Sequence, residues 1–290
     1  MRGEVVATGV RFGEGPVWCD DGTVVATSVC DGALFRITPA TGAVERIAVT
    51  EGGPNAAYPA SDGGFLVTQN GGLDFSKMGA RVGAFADAPY RPVTPGLQRV
   101  DTTGRVHFVT ADGFQAPNDL VCDEAGTVFF TDPYNFLSER APGRVWALHV
   151  DGSLEVVADG FAYCNGIARE PDGTLVVVEG RGLTRLLPDG GRAWIVEQLG
   201  PGGGDGFCVD VEGRFYVAST TEHGVRVVEP DGTEVEFLSL EGDGLTTNCC
   251  FGGDDGRTLF ATDAVPGHVV AWEGMPTPGL PLPRWPAPPA

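Results

Sequence analysis

EVVADGFAYCNGIAREPDGTLVVVEG, at residues 155–180, holds in one run the pieces from which the chain is built. Two Val-rich stretches flank a Pro-Asp-Gly corner, and Asn165 stands eight residues before the corner glycine, Gly173. Asp and Gly at such a corner supply the local hydrogen bonds and backbone freedom of a tight turn, and short Val-rich runs bounded by them read as strands. The arrangement recurs as DDGTVVAT around Gly22, SDGGFLVT around Gly63, DEAGTVFFTD around Gly126, DVEGRFYVAS around Gly213 and GDDGRTLFATD around Gly256. Successive turns lie 40 to 47 residues apart, with one interval of 63. Five units carry a second turn, at Gly42, Gly104, Gly152, Gly190 and Gly232. A period of this length with about four short strands per unit predicts an all-β, six-bladed propeller of four-stranded blades. No stretch shows helical periodicity with caps.

The quoted run also predicts how the ring closes. EVVADGFAYCN aligns without gaps on the N-terminal EVVATGVRFGE at 4–14, and the sixth unit stops after HVVAWE, one strand short. The N-terminal strand is therefore expected to supply the outer strand of blade 6, hiding both edges. A single propeller domain over 1–274 follows, with the long interval forming an insertion at about 70–98 that could act as a lid through Leu73, Phe75, Phe85 and Tyr90. The Pro-rich tail, 275–290 with Trp285, is expected to be extended or disordered. Trp18, Trp146, Trp194 and Trp272 read as blade-packing residues.

Composition narrows the function. The 290 residues carry 39 Asp and Glu against 19 Lys and Arg, a net charge of −20. Without a basic stripe there is nothing to displace counterions from a phosphate backbone, so nucleic acid is excluded as a partner. No apolar run approaches the length of a membrane span, and the N-terminus lacks an apolar leader, so a cytoplasmic protein is expected. Seven cysteines without a CxxC spacing argue against a disulfide framework or a structural zinc site.

Counting eight residues back from each first-turn glycine gives Glu14, Asn55, Asn118, Asn165, Asp205 and Asn248, each with a side-chain oxygen. Four of the six asparagines in the chain fall in this set. In a propeller these positions open the innermost strands and converge on the central channel. Two carboxylates with amide oxygens form a hard-oxygen site, which suits one divalent cation, Ca²⁺ first, with Mg²⁺, Mn²⁺, Zn²⁺ or Fe²⁺ as alternatives.

FGEGPVW at 12–18, APNDLVCDEAGTVFFTDP at 116–133, NGIAREPDG at 165–173 and DGFCVDVEGRFYVA at 205–218 resemble the regucalcin/gluconolactonase family, in the order of that family and over most of the chain. The resemblance implies a six-bladed propeller with one divalent metal in the channel, and hydrolysis of sugar lactones as in many members. It implies Glu14, Asn165 and Asp205 as metal ligands and Asn118 as a residue that binds metal or substrate. The regucalcin branch has an Arg where this chain has Ala116, so the chain resembles the bacterial gluconolactonase branch more.

A lactone hydrolase is therefore expected, the cation polarising the carbonyl and a carboxylate taking a proton from water. Asp205 is the first choice for that base and Asn118 the second catalytic candidate, with Asp119, Asp132, Glu179, Glu222 and His223 as free groups at the mouth that could take the base's role instead. Around the mouth, Asn55, Asn118, Asp119, Asp132, Glu222, His223 and Asn248 are the candidate substrate contacts, and Glu179 is a further carboxylate there. A metal-dependent esterase or phosphotriesterase of the same fold, or a non-catalytic calcium-binding propeller, are the alternatives. The expected partner is a small lactone or ester, and the expected state a monomer or weak homo-oligomer.

Overall fold

The repeated turn is a tight hairpin corner with a fixed backbone signature. At the first corner the Gly22 N–H donates to the Cys19 carbonyl (3.0 Å) and the Cys19 N–H to the Thr23 carbonyl (2.8 Å). The same pair of bonds joins Gly126 with Asp123 and Thr127, and Gly173 with Glu170 and Thr174. The glycines sit at φ of 79°, 87° and 90° respectively, left-handed backbone that a side chain strains. That requirement makes the glycine periodic and the blades countable in the sequence.

A computed structural model describes residues 2–111, 113–136 and 138–287. It shows six antiparallel four-stranded sheets arranged as a propeller. The first strands are Gly13–Trp18, Pro54–Pro59, Leu120–Cys122, Cys164–Arg169, Phe207–Val209 and Leu245–Gly252. Each packs on the first strands of its two neighbours, so the six line a central channel. Second strands such as Val24–Ser28, Phe65–Gln69 and Phe215–Ser219 are buried at every residue. Covered on both faces, they read as continuous apolar runs rather than alternating ones. Outermost strands such as Ala43–Val49 and Glu234–Ser239 are mostly exposed and carry the charges.

Closure follows the sequence reading. The strand Glu4–Thr8 pairs antiparallel with His268–Trp272, placing Glu4 opposite Ala271 and Thr8 opposite His268. It thereby becomes the outer strand of blade 6. Between blades, Trp18 stacks on Phe260 at 5.4 Å, and Trp272 is fully buried. Trp194 departs from expectation. It lies on an outer strand, Arg192–Val196, and is 48% exposed, because outer strands have no neighbouring sheet to cover them.

The insertion leaves blade 2 after Gln69 and returns at Gly96, holding two short 3₁₀ turns, Phe75–Lys77 and Ala80–Phe85. Phe75 and Phe85 were expected to shape a pocket. Instead both are buried edge-on around Phe12, at 5.1 and 6.3 Å, in a cluster with Val29, Cys30, Leu245 and Ala264. The insertion is thus packed onto blades 1 and 6.

The Pro-rich tail is extended and packed up to residue 287, and 288–290 lie outside the described residues. The Leu280 N–H donates to the Val209 carbonyl (2.8 Å), the Tyr58 hydroxyl to the Pro283 carbonyl (2.7 Å), and Trp285 is buried against blades 2 and 3. The segment 279–284 thus crosses the channel from blade 5 to blade 2 and bounds a cavity of about 440 Å³ lined by Val17, Val121, Ile167 and Phe207.

Removing residues 1–8 leaves His268–Trp272 as an unpaired edge. The expected outcome is a melting temperature lower by about 10 °C, corresponding to about 3 kcal/mol, with aggregation on heating. An unchanged melting curve would show that the closure strand carries no stability.

Candidate functional site: an acidic ring in the channel

Local packing explains why the six oxygen-bearing residues share one level. After Glu14, Asn165 and Asp205 the neighbouring blade comes so close that a side chain would collide, and glycine follows each of them. A Cβ on Gly15 would lie 2.3 Å from Ala56 Cα, one on Gly166 2.4 Å from the Asp205 carbonyl, and one on Gly206 2.0 Å from Asn248 Cγ. The ladder is irregular there, with register shifts between Glu14 and Val17, Pro54 and Ala57, and Cys164 and Ile167.

Hydrogen bonds at this level join each blade to the next. The Thr27 hydroxyl donates to the Asn55 carbonyl (2.7 Å), Thr68 to that of Asn118, and Thr131 to that of Asn165 (2.6 Å). The Gly166 N–H donates to the Asp205 carbonyl (3.2 Å), the Gly206 N–H to Thr247 (2.8 Å), and the Thr247 hydroxyl to Gly13 (2.7 Å). The backbone behind the ring is thus fixed around the full circle.

In front of it stand three acids, Glu14 and Asp119 buried and Asp205 half-buried. Glu14 and Asp205 come from the ring positions. Asp119 occupies the following position, where blades 1, 4 and 5 have glycine. Burial, then the charges of Asp205 and Asp119, raises Glu14 well above its usual range. Asp119 is pushed from 3.8 to about 7 by burial and then by Asp205, and Asp205 from 3.8 to about 7 by burial. The Thr220 hydroxyl donates to Asp205 Oδ2 (3.2 Å), and the Asn165 side chain also hydrogen-bonds this carboxylate. The Oδ1 atoms of Asn165 and Asn55 are buried without a hydrogen-bond partner.

These features fit a divalent cation. Buried amide oxygens without donors and carboxylates that repel one another are what a bound positive charge would relieve. Among the described residues no three His, Cys, Asp or Glu side chains converge as a metal cage, so a cation here would need amide oxygens as well. Glu14, Asn165 and Asp205 are the residues that would hold it.

Other expected contacts prove committed within the fold. Asn248 donates to both Asp119 oxygens (2.9 and 3.0 Å) and accepts from the Cys249 N–H (2.8 Å). Asp132 is fully buried, accepting from the Gln115 and Ala116 N–H groups (2.8 Å each) and the Trp146 indole (3.1 Å). These bonds hold the 115–116 segment that leads to Asn118. Glu222 pairs with Arg226 and accepts from Ser219 (3.1 Å), and the buried His223 bridges Asp263 (3.1 Å) and the Gly242 carbonyl (3.2 Å). Glu179 pairs with Arg192 at 3.2 Å. Asn118 is half-buried, its carbonyl held by Thr68. The sequence reading missed Tyr163, Thr220 and the bridging threonines. Those threonines follow the apolar runs VVA, FLV and VFF, a signal recognisable once their partners are known.

The chain is thus a six-bladed propeller with an oxygen-rich acidic ring at the start of its inner strands. The SMP-30/gluconolactonase/LRE-like region model matches residues 12–265, and the chain belongs to that family. It is 27% identical to a gluconolactonase of Zymomonas mobilis over 89% of this chain and 77% of that protein. It is 29% identical to a pentonolactonase of Haloferax volcanii, over 90% and 84%. A regucalcin of Agrobacterium tumefaciens, described as a calcium-binding protein, shares the fold at a TM-score of 0.78 and 21% identity, covering 98% of this chain and 97% of that one.

The raised carboxyls carry a pH prediction. Their folded values exceed the unfolded ones, so the stability they contribute is present below about pH 4 and is lost as pH rises through about 7. With chelator, the melting temperature should fall between pH 5 and pH 8. Saturating Ca²⁺ should raise it by roughly 5–10 °C at pH 8 and far less at pH 5, and Glu14→Gln/Asp205→Asn should abolish the rise. An equal rise at both pH values would contradict the assignment.

Proposed function

We propose that the chain is a divalent-cation-dependent hydrolase that opens lactone rings. The observation that carries this reading is the pairing of Glu14 and Asp205 with the partnerless Oδ1 of Asn165 at one end of a channel. Membership in a family with gluconolactonase and pentonolactonase relatives supports the substrate class.

When bound, the cation would polarise the lactone carbonyl and favour the charge that develops on its oxygen. Asn165 supplies a fixed oxygen, since its backbone lies in the interblade circuit, and Glu14 follows Gly13, whose carbonyl closes that circuit. Asp205 takes the proton of the water that attacks the carbonyl carbon. Thr220 holds Asp205 Oδ2, which restrains the carboxylate while it acts. The ring C–O bond then breaks, the proton passes to the departing alkoxide, and a hydroxy acid results. That product is an anion inside an acidic ring on a protein of net charge −20, so its release is electrostatically favoured.

Assay of the chelated and Ca²⁺-restored protein on a panel of γ- and δ-lactones tests the reading. Activity should vanish with chelator and return with the cation. Asp205→Asn should lower kcat about 10²- to 10⁴-fold while the fold persists. Cation-independent hydrolysis, or an Asp205→Asn protein of full activity, would overturn it.

A further inference from the structure

Beside the acidic ring lies an aromatic cluster that the chemistry above leaves without a role. Tyr163 stands two residues before Asn165, directly ahead of the first strand of blade 4, Cys164–Arg169, at the end where the ring residues lie. Its ring meets Tyr134 at 5.1 Å and Phe136 at 5.2 Å, the latter stacked at 30°, and Tyr134 meets Phe136 at 6.1 Å. Tyr134 and Phe136 follow the second strand of blade 3, Val128–Asp132, at the end where the ring residues lie.

The cluster is held in place and open. The Asn135 amide donates to the carbonyls of Asn70 (3.4 Å) and Gly72 (3.3 Å), tying it to the insertion. The Gly180 N–H donates to the Tyr163 carbonyl (2.7 Å), and Arg140 lies over Tyr134 at 5.8 Å. Phe136 is 57% exposed, more than any other described Phe, Tyr or Trp. Three contacting rings with one face in water form an apolar surface that a ligand can cover.

The polar side chains point to the same conclusion from the other direction. A polyhydroxylated substrate needs donors and acceptors free to read its hydroxyls. Asn248, Asp132, Glu222 and His223 are each committed to partners inside the fold. At the open side of this rim Tyr134, Phe136 and Tyr163 present contacting ring faces.

We propose that Tyr134, Phe136 and Tyr163 form a subsite for an apolar substituent of the substrate, so that the chain selects lactones bearing an aryl or alkyl group over sugar lactones. The inference rests on the lactonase reading and names its substrate class. Rings stack on the flat face of an aryl or alkyl group with offset or edge-on geometry, and Tyr163 carries the subsite up to the reacting carbonyl. Phe136 is the specificity-determining residue because it is the exposed member.

The test compares dihydrocoumarin, an aryl-fused δ-lactone, with glucono-δ-lactone on the Ca²⁺-loaded protein. The ratio of their kcat/KM values should exceed ~10 in the native chain. It should fall about 5- to 10-fold in Phe136→Ala and return in Phe136→Tyr. A native ratio below one, or a ratio unchanged in Phe136→Ala, overturns the proposal. If neither lactone is hydrolysed, the hydrolase reading fails and dihydrocoumarin binding decides the subsite by titration calorimetry. Binding weakened several-fold in Phe136→Ala then supports it, and equal binding by both proteins overturns it.

Discussion

The hydrogen-bond circuit that runs from Thr27 through Asn55, Asn118, Asn165, Asp205, Thr247 and back to Gly13 is the constraint on which the rest depends. It ties each inner strand to the next at a single level. It thereby holds the backbones of Asn55, Asn118, Asn165 and Asp205 at that level. Blades whose inner strands touch so closely admit only small residues behind the ring, as Gly15, Gly166 and Gly206 show. Packing and function are thus set by the same contacts. A sheet shifted by one residue would turn its oxygen ligand away from the channel and press a side chain into the next blade.

The acids gathered by this geometry oppose folding. Glu14, Asp119 and Asp205 are desolvated together, and their mutual repulsion adds to the burden. Buried charge without a partner persists where it serves a ligand. Asn248 donating to both oxygens of Asp119 offsets part of that burden on one side of the channel. On the other side, the Asn165 oxygen has no donor, and there the electrostatics favour a cation. The tail from 279 to 284 bounds the channel at its far end.

Much of this was legible in the sequence because its causes are local. A left-handed glycine at each corner fixes the period, and the period fixes the blade count. Closure by Glu4–Thr8 was legible because an outer strand and the next inner strand form one continuous repeat. The six ring positions follow from a constant offset to those corners. What could not be read depends on contacts between blades. Asp132 looks like any mouth carboxylate until its bonds to 115, 116 and Trp146 are seen. His223 needs Asp263 of the next blade, and Phe75 needs Phe12. Tyr163 carries no motif, and its significance comes from its ring contacts with Tyr134 and Phe136 of blade 3. The Pro-rich tail reads as free chain because its binding partners, Tyr58, Val209 and Pro59, are far away in sequence.

The central claim is that Glu14, Asn165 and Asp205 form one cation site at the channel. Equilibrium dialysis against radioactive Ca²⁺ tests it most directly, on the native chain and on Glu14→Gln/Asp205→Asn, with circular dichroism to confirm that both are folded. The account predicts about one Ca²⁺ per native chain at micromolar free ion and almost none on the double variant. Equal binding by the two proteins, or no binding by the native chain, would contradict it.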